Sequence, residues 1–234
     1  MRLDKFLCEM NQGTRSQVKD LIRKKQVSVN GTIVTKPETQ IQENTDRIVL
    51  QGREICYQKY VYYMLNKPRG FVSATTDSRE RTVLDLLGEQ KANDLFPVGR
   101  LDKDTEGLLL MTNDGPLAHH LLSPHHHVEK EYYVEHKLPL TDEDIYSIET
   151  GITFQSVTYR PARYEKISDT SCHLTIREGK YHEIKMIFES LGDKVVYLKR
   201  LRMKNLRLGD NLKPGEYHPL TAEEIADLKE GMPQ

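Results

Sequence analysis

The sequence predicts an α+β protein in two parts, and three observations carry that prediction. Residues 2–50 show two short amphipathic helical patterns followed by an alternating hairpin around Asn30-Gly31. From Tyr60 onward, strand-like apolar runs alternate with short helical patterns. Between them falls the polar pair Gln58-Lys59, with no repeat, low-complexity tract or Gly/Ser linker. The boundary is therefore expected near residue 59 or 60, giving a module over 1–59 and a larger body over 60–234.

Within the module, residues 2–10 read as a helix with Leu3, Phe6, Leu7 and Met10 at three- and four-residue spacing. Thr14 opens a second helix, its hydroxyl capping while Gln17 reaches back. Val18, Leu21 and Ile22 point inward, and Arg15, Lys19 and Arg23 take the other side. Residues 27–34 form two alternating strands around Asn-Gly, the strongest short hairpin signal. Arg47-Ile48-Val49-Leu50 closes the module as a further strand.

The body begins with Tyr60-Val61-Tyr62-Tyr63-Met64-Leu65, aromatic and β-branched and hence a strand, broken by Asn66-Lys67-Pro68-Arg69-Gly70. Residues 82–87 read as one or two helical turns, and Phe96-Pro97-Val98 leads into the central segment, 99–115. There a tight polar stretch, Gly99-Arg100-Leu101-Asp102, runs into Leu108-Leu109-Leu110-Met111 and stops at Asn113-Asp114-Gly115. A charged loop is thereby planted on a buried strand, and rigid support is what a nucleophile or base needs. An Asp beside an Arg is also an ordinary ion pair, so the residues alone leave both readings of Asp102 open. Farther on, Asp142-Glu143-Asp144 with Ile145 and Ile148 starts a capped helix, and 152–176 alternates as strands around Arg160-Pro161-Ala162. Residues 198–208 read as a strand with one wet basic face, and an acidic helix follows Thr221, capped by Glu224.

The segment Gly99–Gly115 resembles the signature of the pseudouridine synthases that act on ribosomal RNA, and nearly the whole chain is similar to the RsuA-type, small-subunit members. The resemblance implies a pseudouridine synthase domain on a mixed, largely antiparallel sheet with flanking helices, in which Asp102 is the catalytic carboxylate. It also implies that the Lys130-Glu131-Tyr132-Tyr133-Val134 strand supplies Tyr132 to stack on the flipped base, Tyr133 alternating to the other side. In Gly179-Lys180-Tyr181-His182-Glu183-Ile184-Lys185 it assigns Lys185 to pair with Asp102. Two departures stand out: Glu183 occupies a usual Gln position, and Met186 a position often basic in relatives. Arg100 is expected either to hold the Asp loop or to fill the gap left by the flipped base. Lys67 and Arg69 are open to RNA contact or to a plain turn role.

The N-terminal order, with Thr14-Arg15-Ser16 opening the second helix, resembles the S4 RNA-binding domain. That resemblance implies phosphate contacts from Arg15, Ser16, Lys19, Arg23, Lys24 and Lys25, which position RNA without reading its sequence. Arg2 joins them from the same basic surplus.

Composition bounds the rest. The chain has 234 residues and a net charge of −1, unhelpful for a polyanion binder until its distribution is read. Seven basic residues face three acids over residues 1–25, and nine face four over 177–207. No window approaches the apolar length of a membrane span, and Arg2 opens a charged N-terminus, so a cytoplasmic protein without membrane contact is expected. Cys8, Cys56 and Cys172 lack Cys-x-x-Cys spacing and read as reduced packing residues. His119, His120, His125, His126 and His127 crowd one short stretch, but Pro124 splits them and no paired helical register accompanies them, so no metal site is expected.

The expected function is site-specific isomerisation of a uridine to pseudouridine in 16S ribosomal RNA. The aspartate is ionised at neutral pH, so no cofactor is demanded. The expected partner is ribosomal RNA within a partly assembled small subunit, met by a monomer. The alternatives are a synthase acting on 23S RNA and a non-catalytic S4-type binding or assembly factor.

Overall fold

The computed structural model describes residues 1–90 and 94–232. Its backbone divides into two compact units, one built on Met1–Val61 and the other beginning at Tyr62.

In the first unit, α1 (Leu3–Glu9) and α2 (Arg15–Arg23) share a core with an antiparallel sheet. The sheet comprises β1 (Val27–Val29), β2 (Thr32–Ile33), β3 (Ile48–Leu50) and β4 (Arg53–Ile55), in the order β2-β1-β3-β4. Leu3, Phe6 and Leu7 of α1 meet Val18 and Ile22 of α2 over Val27, Ile48 and Leu50. The helical spacing made this apolar stripe inevitable. The cap at Thr14 forms as expected: its Oγ1 accepts from the Gln17 N–H at 3.4 Å while the Gln17 side chain accepts from the Thr14 N–H at 2.8 Å. The hairpin turns through Asn30 (φ 51°) and Gly31 (φ 80°), left-handed conformations those two residue types tolerate best.

The second unit is organised by one mixed sheet of nine strands. Its strands are β5 (Tyr62–Lys67), β6 (Phe96–Val98), β7 (Glu106–Thr112), β8 (Lys130–His136), β11 (Arg163–Ser168), β12 (Ser171–Ile176), β13 (Val195–Met203), β14 (Leu206–Arg207) and β15 (Tyr217–Pro219). The path is β11-β12-β8-β13-β7-β5-β15, with β6 added to β7 and β14 to β13. β7 and β13 run parallel and the other pairs antiparallel, as the resemblance implied. A separate hairpin holds β9 (Ile152–Phe154) and β10 (Val157–Tyr159), and the helices are α3 (Gly115–Leu122), α4 (Asp142–Thr150), α5 (Glu183–Ser190) and α6 (Ala222–Lys229). Capping boxes at Thr141/Asp144 and Thr221/Glu224 start α4 and α6. Among the described residues, no helix is long and apolar enough to cross a membrane.

Three expectations need correction. β5 continues through Asn66 and Lys67, whose backbones pair with Leu108 and Gly107 of β7, so the break falls at Pro68, which has no N–H to give the ladder. β13 has no wet basic face at Arg200 and Arg202: both are buried in the middle of the sheet. A buried guanidinium must be paired, and Arg200 donates to Leu108 O at 2.7 Å and Gly99 O at 3.2 Å, while Arg202 meets Glu131 at 2.8 Å and Glu129 at 3.1 Å. Third, Cys56 is exposed rather than packed.

Gly107 makes the β7–β13 junction possible. It sits opposite Arg200 at φ 101°, and a Cβ there would lie 2.2 Å from the Arg200 carbonyl oxygen.

Candidate active site

The loop from β6 to β7 carries Asp102, and its backbone is anchored from below. Lys67, wholly buried at the end of β5, donates its ammonium to the carbonyls of Asp102 (2.9 Å), Thr105 (2.7 Å) and Pro68 (3.2 Å). Ser73 clasps Leu101 twice, donating to its carbonyl at 2.8 Å and accepting from its N–H at 3.0 Å. The Thr105 N–H closes the turn on Asp102 O at 3.1 Å. Burial pushes the Lys67 ammonium down to about 8, although the carboxylates of Asp104, Glu106 and Asp102 oppose the shift. Lys67 is thus committed to backbone carbonyls and is not open to RNA, which corrects one of the two readings left for it.

The Asp102 carboxylate itself faces a groove enclosing about 70 Å³, lined among others by Arg100, Tyr132, His182, Glu183 and Lys185. The Lys185 ammonium lies 2.8 Å from one Asp102 oxygen and 2.7 Å from Asp104. Burial by itself would lower the Lys185 pKa, but its hydrogen bonds to the two carboxylates prevail and hold it above the ordinary lysine value. Asp104 is correspondingly held below the ordinary carboxylate range, Lys185 outweighing burial. The other Asp102 oxygen lies 3.4 Å from His182 Nε2.

Behind the groove, Tyr132 is 7% exposed, and its hydroxyl meets the Arg200 guanidinium. Burial raises its pKa. Glu183, at the start of α5, is 4% exposed and accepts from the Lys180 N–H at 2.8 Å. Burial lifts its pKa to about 7 and so opposes the negative charge that this departure from Gln would bring.

The structure thus gathers Asp102, Tyr132, Lys185 and Arg100 into one groove, with Arg100 exposed on its lining. Sequence reasoning did not single out Ser73, Arg200 or His182. The first two are found only through long-range hydrogen bonds, whereas His182 was visible in the Gly179–Lys185 motif but had no assigned partner.

In the first unit Arg15, Ser16, Arg23, Lys24 and Lys25 are exposed and Lys19 is half-buried. Arg2 is clamped bidentately to Asp4 at 2.9 and 2.8 Å, so its donors serve α1 first. In the second unit His120 and His126 pack ring to ring at 4.2 Å, and the His127 Nδ1 lies 2.9 Å from Arg160. Among the described residues no group of three or more His, Cys, Asp or Glu side chains is placed to hold a metal ion.

The model of the RNA pseudouridylate synthase family matches residues 61–190, and that of the S4 domain matches residues 1–46. An uncharacterized RNA pseudouridine synthase of Bacillus subtilis is 44% identical, over 98% of this chain and 99% of the relative. The ribosomal small subunit pseudouridine synthase A of Escherichia coli is 40% identical, over 97% of this chain and 100% of the relative. A crystal structure of a pseudouridylate synthase superposes with a TM-score of 0.69 at 38% identity, covering 97% of this chain and 99% of that one.

Proposed function

The chain belongs to the RNA pseudouridylate synthase family, and from that membership we propose that it isomerises one uridine of small-subunit ribosomal RNA, with Asp102 as the group that acts on the nucleotide. The observation that carries this reading is the Asp102 carboxylate held 2.8 Å from Lys185 inside a groove that Tyr132 also lines. Isomerisation breaks the N1–C1′ bond, turns the base and rejoins it through C5, with no group gained or lost. An ionised carboxylate serves it as nucleophile or as base, splitting one hard step into easier ones. Lys185 stands beside that carboxylate as its counter-charge when RNA displaces water from the groove. The target must leave its stack at a cost of about a few kcal/mol, and Tyr132 supplies the flat surface that holds it.

The relatives named for the small subunit favour 16S over 23S RNA as substrate. The unit at the N-terminus, taken as 1–59, docks RNA through Arg15, Ser16, Lys19, Arg23, Lys24 and Lys25. The protein is taken to act on the RNA as a monomer. In the test, the unaltered protein releases tritium from 5-tritiated uridine in small-subunit RNA, supplied free or in partly assembled particles. Asp102→Asn binds the RNA and releases none. An active Asn variant ends the assignment of Asp102, and silence of the unaltered protein on every ribosomal substrate turns the reading to the non-catalytic factor. Carbodiimide mapping of both large RNAs from a strain lacking the gene decides between 16S and 23S.

A further inference from the structure

Among the described residues Tyr181 is the most exposed large hydrophobic side chain of the second unit, at 81%, and in the chain it stands between Lys180 and His182, which both line the groove just described. One face of its ring is covered by the His182 imidazole, with centroids 3.8 Å apart and planes inclined by 22°. His182 in turn points Nε2 at Asp102, 3.4 Å away. Its backbone is unusual. His182 precedes α5 in the left-handed region (φ 50°, ψ 28°), where ordinary N-caps are extended, and its side chain makes no cap hydrogen bond. A strained residue that forgoes its local bond and reaches the reactive carboxylate instead marks a feature of the site. The neighbouring Lys180 offers no competing explanation as a phosphate contact, because its ammonium is taken by Glu178 at 2.8 and 2.9 Å and by Thr158 O at 2.6 Å.

We propose that the outer face of Tyr181 is a stacking platform for an RNA base flanking the target uridine, making Tyr181 a substrate-positioning residue of this site. The proposal rests on the reading of the groove as a synthase site. The order of layers identifies the base. The target must reach Asp102, and the His182 ring fills the space between Asp102 and Tyr181, so a base on Tyr181 lies one layer farther out and belongs to a neighbour. A ring face has no hydrogen-bond pattern to match, so the platform accepts any base and adds affinity rather than sequence selection.

The test uses an in vitro transcript of bacterial small-subunit ribosomal RNA bearing 5-tritiated uridine. Tyr181→Ala raises the RNA concentration for half-maximal single-turnover rate roughly tenfold, the scale of removing one base–aromatic stack, and leaves the maximal rate within about twofold. Tyr181→Phe and Tyr181→Trp keep the wild-type values, since the ring and not the hydroxyl does the stacking. In the Asp102→Asn background, which binds without turnover, filter binding shows the same tenfold loss for Tyr181→Ala. The proposal is overturned if Tyr181→Ala binds within twofold of its parent in that background, or if Tyr181→Phe is as impaired as Tyr181→Ala. A wild-type protein that releases no tritium would defeat the synthase reading instead, and the binding comparison would still decide Tyr181.

Discussion

Asp102 sits between two lysines that do opposite work. Lys67, on the floor, is wholly buried, has its ammonium on backbone carbonyls and is pushed down to about 8 by burial. Lys185, on the wall, is partly open to the groove, bridges Asp102 and Asp104, and is held above the ordinary lysine value by those carboxylates. The same side chain serves below as a peg for the loop and beside it as a counter-charge to Asp102 and Asp104. What differs is whether its partners are neutral dipoles or anions, and how much water it has lost.

That contrast breaks first at Lys185. Lys185→Met is expected to lower the single-turnover rate at least a hundredfold, the scale of losing one preorganised charged partner. Urea denaturation should change by no more than about 1 kcal/mol, since the pair is partly solvated. Equal losses in both measurements would erase the distinction between wall and floor.

Lys67→Met should do the reverse. It takes the ammonium away from the carbonyls of Thr105, Asp102 and Pro68, of which Asp102 O keeps the Thr105 N–H, and should cost roughly 2 kcal/mol of stability, visible as a lower urea midpoint. Activity is lost only because the loop moves. A Lys67→Met protein as stable as wild type would show that Ser73 alone anchors the loop.

Glu183 sharpens the comparison through pH. Its folded pKa of about 7 lies above the ordinary 4.5, so the folded state holds this proton more tightly than the unfolded chain. Stability from this group is therefore full below about pH 4.5 and drains away as pH rises to about 7. Glu183→Gln removes the drain, and its advantage over wild type should be about 2 kcal/mol larger at pH 8 than at pH 5. A pH-independent difference would mean that the carboxylate is ionised at both.

The smallest effect belongs to cations in the open. Lys24→Ala with Lys25→Ala should leave the melting temperature unchanged and should lower the salt slope of RNA binding by about one for each phosphate that is no longer neutralised. An unchanged slope would remove these two residues from the docking surface.

Much of this molecule was legible from local pattern. The helix caps, the Asn30-Gly31 turn and the buried Leu108–Met111 run depend on neighbours a few residues away, and such short-range rules are written directly in the chain. The grouping of Asp102, Tyr132 and Lys185 was expected from motif resemblance, and the structure places them in one groove. Charge in the strand region was misread because a basic residue carries no mark of its partner. Arg200 looked like a solvated side chain until the sheet placed Leu108 O and Gly99 O within its reach.

By itself, then, the amino-acid order determined where the capped helices begin, where the Asn-Gly hairpin turns, and which loop bears Asp102, because those outcomes rest on interactions close in the chain. Only tertiary structure decided which cations are pegs and which are counter-charges, and that His182 leans on Asp102. Those roles depend on water removed and on partners brought in from distant segments, and the energy of a charge is set by both.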